Sequence, residues 1–401
     1  VVVKMSQRHV VIRAIGGVSA VKNSAETYGL YSQPPSSMEV NLPKGVAQMK
    51  VYQIHEEYEA MLQALAMERL WDRAALLGVM SAREAFQRAG WRSVDPESIG
   101  VIMGSSRGSV TTYEEALLKY LQCKMLPTHT SPVTTIGSFA TAVAETLGLY
   151  GDTVDCSMTC SSGLIAVRNA IIGIAGGYYE RVLCGGAESA LTPFTAAQMQ
   201  PLGIVDIGRE DWPPCQPCNA EGRHNRMSLG EGAAVVALEG VAALTPDDVC
   251  ILGSGVAREA APSYTGVSVD GEAILLATNK AIADAGTRYG VAKNDISFVL
   301  PHAPGTRKGD ASEARALNNV FEGVIPPLFS TKWLTGHTFG AAGVLSLELA
   351  LHLLGGGRVL TAPYRSYLSS GDRLDPSSPK VGLIIGAGFG GTATVLVVGM
   401  P

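Results

Sequence analysis

The chain has 401 residues, 46% hydrophobic and 17% charged, with a formal net charge of −5; a chain of this size can bury a large core, and its charge gives no electrostatic case for nucleic acid or an anionic membrane. Glycine is abundant at 46 residues and aromatics are sparse at 6%, which suits close backbone packing and tight turns beside strands. Seven cysteines, an N-terminal VVVKMSQRHV without a leader-type apolar region, and apolar runs broken well short of the roughly 18 residues of a membrane span predict a soluble, cytoplasmic protein with free thiols in a reducing compartment.

In chain order, short β-rich apolar runs predict strands at Val10–Ile15, Gly100–Met103, Thr153–Ser157, Arg181–Cys184, Ala233–Leu238, Ile251–Gly255, Ile296–Leu300, Pro327–Ser330, Val381–Ile385 and Thr394–Val398. Between them, helical patterns occupy Leu65–Gln87, Thr112–Lys119, Ser138–Leu147, Ser161–Ala175, Gly271–Ala285, Gly309–Val320 and Ala341–Leu354. The alternation argues for α/β layers, and the near-continuous apolar strands for sheets covered on both faces. Ser161–Ala175, SSGLIAVRNAIIGIA, is apolar or small almost all round, so it reads as a helix buried on most sides. Pro201–Arg226 and Arg358–Lys380 read as irregular loops. A strand, a reactive residue and a long apolar helix recur around Cys160 and around His337. This coarse echo places a boundary near Leu244–Asp248, dividing the chain into 1–245 and 246–401.

Cys160 sits where a strand gives way to that buried helix, with Ser161 and Ser162 as N-cap types. Unpaired N–H groups and the helix dipole there favour a thiolate, which makes Cys160 a competent acyl acceptor; the alternative is a small core hydrophobe, the reading that Cys156 and Cys184 keep. His302, in VLPHAPGTRKGDASE, and His337, in STKWLTGHTFGAAG, both lie on strand-exit loops, with Lys332 five residues before the second. Such a set suits a site that needs several hydrogen-bond donors at a developing anion, although either histidine alone could be structural. His9, His55, His129, His224 and His352 have no comparable setting.

VDCSMTCSSGLIAV resembles the nucleophile motif of β-ketoacyl-acyl-carrier-protein synthases. PHAPGTRKGD resembles their first histidine motif, and STKWLTGHTFGAAG their lysine and second histidine motif. SLGEGAAVVALE (Ser228 to Glu239) and GAGFGGTA (Gly386 to Ala393) are similar to two further landmarks, all in the family's order. The resemblance implies a thiolase-like fold of two similar halves in five layers, α-β-α-β-α. It implies Cys160, His302 and His337 as the catalytic set, with Lys332 holding the network around the histidines. Backbone N–H groups of Cys160 and Phe389 would form an oxyanion hole, Phe389 would also gate the site, and Thr306, Gly388 and Gly390 would contact substrate. No metal or bound cofactor is implied, since the substrates ride on the phosphopantetheine of an acyl carrier protein. The implied assembly is a homodimer, or a heterodimer with a related synthase subunit.

Four residues depart from the family pattern. Pro304 removes a hydroxyl from the His302 loop and leaves Thr306 as the candidate arm contact. Ala387 stands where a first Phe is common, Ala393 replaces an Asn, and Ser346 falls where many relatives carry Glu. Together they point to a branch specialised for polyene or other polyketide-like chains. The expected reaction is decarboxylative condensation; the alternatives are acyl transfer or hydrolysis on the same scaffold, or a non-elongating partner subunit, against which Cys160 argues.

Other motifs have plainer readings. Gly386 to Gly391 fits G-x-G-x-x-G but precedes TATVLVV, a strand where a dinucleotide site needs a helix. Gly104-Ser105-Ser106-Arg107-Gly108 fits G-x-S-x-G, yet a hydrolase built on Ser106 leaves Cys160 and one histidine loop unexplained, so a Gly-rich turn is expected. Cys215 and Cys218 form a lone C-x-x-C near His224, without the further pair that zinc needs. Arg69 and Arg73 could meet an acidic carrier protein or lie on a solvated helix face.

Overall fold

The computed structural model describes residues 8–21, 37–42, 45–207, 212–260, 266–369 and 381–401. Its strands are β1 (His9–Val18), β2 (Ser37–Leu42), β3 (Gly45–Lys50), β4 (Ile99–Gly104), β5 (Thr153–Cys156), β6 (Arg181–Glu188), β7 (Gly232–Val241), β8 (Cys250–Arg258), β9 (Ile296–Leu300), β10 (Val381–Gly388) and β11 (Thr392–Gly399). Apart from the β2–β3 hairpin they are hydrogen-bonded in the order β5-β4-β6-β7-β1-β8-β11-β10-β9. The join between β1 and β8 is narrow, one register pair, Val11 with Cys250, and a bond from Ile12 N to Val249 O of 2.8 Å. Two half-sheets therefore meet along one edge.

Alternation along the strands sorts their side chains into an inner and an outer layer. In the first half-sheet Ile102 turns inward while Val101 and Met103 turn outward; in the second, Ile384 turns inward while Leu383 and Ile385 turn outward. The inner residues of both halves share one core with the helices Ser162–Ala175 and Ala342–Leu354. Outward residues of the first half pack on Arg73–Arg88 and Ser138–Leu147, and those of the second on Glu272–Tyr289 and Arg307–Val320. The five layers implied by the resemblance are present. The inner helices approach closely at Gly163, where an added Cβ would stand 2.6 Å from Val344 Cγ2 and 2.7 Å from Gly340 O.

The predicted strands and helices form, with three differences. Pro327–Ser330 makes a single bridge, Leu328 with Val299, because Pro326 and Pro327 have no N–H to extend a ladder. The helix expected over Leu65–Gln87 is two helices, Glu56–Glu68 and Arg73–Arg88. Asp72 breaks it: one carboxylate oxygen caps Ala74 N at 2.8 Å and the other accepts from Thr112 N at 2.9 Å. The β2–β3 hairpin and the short helices Thr130–Thr134, Pro193–Met199 and Lys332–Thr335 were not expected. Of the two predicted irregular loops, residues 208–211 and 370–380 lie outside the described residues.

The helix Val110–Cys123 buries none of its residues. Tyr113, Leu117, Leu118 and Leu121 stand exposed along it, followed by Met125 and Leu126. Among the described residues no helix is long and apolar enough to cross a membrane.

Candidate active site

The turn from β5 into the inner helix is tight. Thr159 sits at φ 49°, a region that β-branched residues seldom occupy and that recurs at functional turns. Ser162 Oγ holds it, donating to Thr159 O at 2.6 Å and accepting from Met158 N at 2.9 Å. Ser161 occupies the N-cap position as expected, but its hydroxyl makes no capping bond; Ser162 does the local work instead. The β10–β11 turn presses on the same spot. A Cβ on Gly388 would collide with Thr159 Oγ1 and lie 3.2 Å from Cys160 N, so only glycine brings this turn against the Cys160 amide. Phe389, next in the chain, is half-buried at the turn, and Gly390 follows at φ 85°.

His302 leaves β9, and its loop is anchored by a buried acid: the amides of His302 and Ala303 each donate to Glu313 at 2.7 Å. Asp310 gathers the amides of Gly305, Thr306 and Cys218 at 3.2, 3.0 and 2.9 Å, leaving Thr306 as the N-cap residue of Arg307–Val320. His337 is fixed through its backbone, which donates to Ser228 O at 2.7 Å and accepts from Gly230 N at 3.1 Å. The SLGEG segment thus abuts the second histidine. The two imidazoles meet edge to face, with centroids 5.3 Å apart and planes at 82°. His337 is also 5.5 Å from the Phe339 ring, and Phe339 shares a buried apolar cluster with Cys160, Met199 and Leu229. Lys332 is buried nearby and donates to Pro301 O at 3.4 Å. Cys160, His302 and the Lys332–His337 segment, far apart in sequence, are brought into one region.

Burial dominates the electrostatics. It lowers the His337 pKa to about 3, with the Lys332 charge adding to the effect. It pushes His302 well below its ordinary value, helped by Lys332 and then His337. Both imidazoles are therefore neutral at physiological pH, each with one N–H to donate. Nδ1 of His337 is buried without a hydrogen-bond partner among the described residues. The cysteine departs from expectation. Burial, followed by repulsion from Glu188, pushes the Cys160 thiol up to about 12, against the opposing pull of Arg107, Lys332 and its own backbone N–H. The helix mouth does not by itself outweigh desolvation, so Cys160 rests as a thiol.

Sequence reasoning missed the acids that brace the site. Glu188 ends β6 and is fully buried, with its carboxyl pushed up to about 7 by burial. It accepts from Ser106 N (2.8 Å), Arg107 N (3.1 Å), Gly340 N (3.1 Å) and Ser105 Oγ (3.0 Å), tying the loop after β4 to the segment after His337. A glutamate closing an otherwise apolar strand was the available signal for it. Glu313, on the first turns of the helix after the His302 loop, offered a weaker one.

The remaining motifs resolve simply. Ser106 gives its amide to Glu188, and among the described residues no histidine bonds its hydroxyl. Cys215 donates weakly to Pro304 O at 3.7 Å, Cys218 gives its amide to Asp310, and both are free thiols. No group of three or more His, Cys, Asp and Glu gathers as a metal site among the described residues. The glycines from Gly386 lead into the β10–β11 hairpin, in which Ala387 pairs with Ala393. Ser346 bonds back to Ala342 O within its helix at 3.1 Å. Arg73 is not available to a partner: it is bound to Glu231 at 2.8 Å and Glu59 at 2.6 Å. Arg69 pairs with Glu145 at 2.6 Å on the surface.

Comparison with known proteins gives a consistent picture. The family model for the beta-ketoacyl synthase N-terminal domain matches residues 15–243, and that for the C-terminal domain residues 249–361. The tetracenomycin polyketide synthase ketoacyl synthase alpha subunit of Streptomyces glaucescens is 29% identical over 359 residues, 82% of each chain. The 3-oxoacyl-[acyl-carrier-protein] synthase 2 of Mycobacterium bovis is 28% identical over 314 residues, 74% of this chain and 71% of that protein. Among solved structures, the ketosynthase ApeO in complex with its chain length factor ApeC from Xenorhabdus doucetiae superposes with TM-score 0.80 at 21% identity, over 98% of each chain. The AntDE:AntF complex, a type II polyketide synthase acyl-carrier protein with its ketosynthase bound to the hexaketide, gives 0.79 at 18% identity, covering 98% of this chain and 100% of that one.

A thiol at about 12 is ionised in on the order of one molecule in 10⁵ at pH 7. Alkylation by iodoacetamide, followed at Cys160 by peptide mass spectrometry, is expected to accelerate about tenfold per pH unit from pH 7 to 10 without levelling. A plateau below pH 8 would mean that the resting thiol is already ionised and would contradict this account.

Proposed function

Because the chain belongs to the beta-ketoacyl synthase family, we propose that it catalyses decarboxylative Claisen condensation between an acyl group carried on Cys160 and a malonyl thioester held by an acyl carrier protein, in a specialised polyketide or polyene pathway. The observation that carries this reading is the pair of buried imidazoles, 5.3 Å apart and held neutral beside Lys332, next to the apolar cluster of Cys160.

In the proposed cycle, Cys160 gives up its proton and attacks the incoming acyl thioester, releasing the carrier's thiol. The malonyl thioester then loses carbon dioxide, and the electron pair of the broken C–C bond moves onto the thioester carbonyl as an enolate. Neutral N–H donors on His302 and His337 stabilise that enolate without anchoring the departing carboxylate. The enolate carbon attacks the acyl-Cys160 carbonyl. The tetrahedral oxyanion is held by the amides of Cys160 and Phe389, a role supported by the close approach of the Gly388 backbone to Cys160 N, too tight for any added Cβ. Collapse frees the cysteine and leaves a β-ketoacyl chain on the carrier. No metal or resident cofactor enters any step. An open cleft of about 320 Å³, lined by Arg223, His224, Asn225 and Arg307 together with the carboxylate of Asp206, offers two arginines to the phosphate of the carrier's arm.

The partner is a second synthase-type subunit, identical or related, docked on the exposed face of Val110–Cys123. Support comes from the run of exposed Tyr113, Leu117, Leu118 and Leu121, larger than scattered surface apolars, and from the assembly of similar ketosynthases with a chain length factor. Light scattering on the purified chain, alone or with its paired subunit, is expected to give a dimer that the Leu117→Glu, Leu121→Glu double variant dissociates. A dimer indifferent to those changes would place the interface elsewhere.

Intact-protein mass spectrometry after incubation with an acyl-carrier thioester is expected to give one acyl adduct, absent in Cys160→Ala. Cys160→Gln, whose amide imitates the acylated side chain, is expected to release carbon dioxide from malonyl-carrier protein while forming no elongated product. An adduct persisting in Cys160→Ala, or no carbon dioxide from Cys160→Gln, would overturn the assigned roles; adduct formation without decarboxylation in the wild type would point to acyl transfer alone.

A further inference from the structure

Arg107 is the residue of the β4 exit loop that the proposed cycle leaves unused. Its backbone is spent on Glu188, but its side chain goes elsewhere. The guanidinium carbon lies 5.4 Å from the centre of the Phe339 ring. Nη1 donates to Gln198 Oε1 at 2.7 Å, and Nη2 faces Met199 Sδ at 3.8 Å. Phe339 and Met199 both belong to the buried apolar cluster that holds Cys160, so the cation packs on side chains that surround the nucleophile. Its charge is felt at the sulfur.

Three features make this arginine more than wall. It is half-buried, and among the described residues no carboxylate pairs with its guanidinium. Glu188, which takes the Arg107 amide, already accepts four bonds, none from the guanidinium. A guanidinium carries five N–H donors, and the protein engages them here with one amide oxygen and one weakly accepting sulfur. The ring stacking satisfies the cation's face but not its donors. A saturated chain laid against it would strip water from those donors and return nothing, which is unfavourable for a polar group and more so for a charged one. A chain bearing oxygen would replace that water.

Resting on the function proposed above, we propose that Arg107 is a specificity-determining residue that selects acyl groups carrying an oxygen acceptor beyond the thioester carbonyl, as in a keto-acyl chain, over saturated chains of the same length.

The test is a competition between hexanoyl- and 5-oxohexanoyl-pantetheine for Cys160, read as the ratio of the two adducts by intact-protein mass spectrometry. The wild type is expected to favour the oxo chain by about tenfold or more, as sites with donors left unmatched by the wrong substrate do. Arg107→Leu is expected to bring the ratio to about one or invert it, and Arg107→Lys to retain part of the preference. Iodoacetamide labelling of Cys160 and thermal melting report whether each variant is folded; if the leucine variant is not, the lysine and Arg107→Gln variants decide. A wild-type ratio near one, or the same ratio in the folded variants, would overturn the proposal while leaving the condensing function standing. Adducts from neither thioester in the wild type would overturn that function and the proposal with it.

Discussion

Lys332 buries an ammonium with only 3% of its surface exposed, and the chemistry of the site is arranged around it. Its bond to Pro301 O ties it to the residue before His302. Burial lowers its pKa, while Glu313, the nearby thiols and Asp310 work to keep it charged. The same burial, with the same charge, forbids a second cation beside it, and both histidines stay neutral. This suits the proposed reaction. An imidazolium would grip the malonyl carboxylate as firmly as the enolate that replaces it, so it would stabilise reactant and transition state alike. A neutral N–H donor in a site of low polarity favours the state in which charge has moved onto the carbonyl oxygen. The arrangement carries a cost: a buried imidazole with pKa near 3 loses stability as the pH falls from about 6.5, where the unfolded chain takes up a proton, toward 3.

The route from sequence to this arrangement was unusually direct for the groups that touch substrate. Cys160 and His302 each follow a strand and precede a helix, whereas His337, expected on a strand-exit loop, follows the short helix Lys332–Thr335 and precedes the inner helix Ala342–Leu354. Apolar strands such as β4 and β10 were legible because both faces are covered, which erases the usual alternation with polar residues. The inner helices were legible for the same reason: Ser162–Ala175 and Ala342–Leu354 have almost no polar face because most of each is buried, with Ile172 and Ala175 the exposed exceptions on the first.

What was not legible depends on contacts that no local pattern encodes. The thiol was expected to be acidic from its place at a helix mouth, a local property; its burial and the proximity of Glu188 are tertiary, and they prevail. Glu188, Glu313 and Asp310 brace three loops through backbone amides, and an amide leaves no trace in the sequence of the loop that donates it. Asp72 read as one polar residue in a helical pattern, because its second partner, Thr112, is forty positions away. Arg73, offered as a surface contact, proved to be bound within the fold by Glu59 and the buried Glu231.

The protonation state of the two buried imidazoles tests the central claim most directly. Nitrogen-15 NMR of histidine-labelled protein, with His302→Gln and His337→Gln used to assign the resonances, is expected to show both rings neutral from pH 8 down to pH 5, with His337 protonating only as the pH approaches about 3. Titration of either ring near the ordinary value of about 6.5 would mean that water reaches the site and that Lys332 does not govern it, contradicting the account.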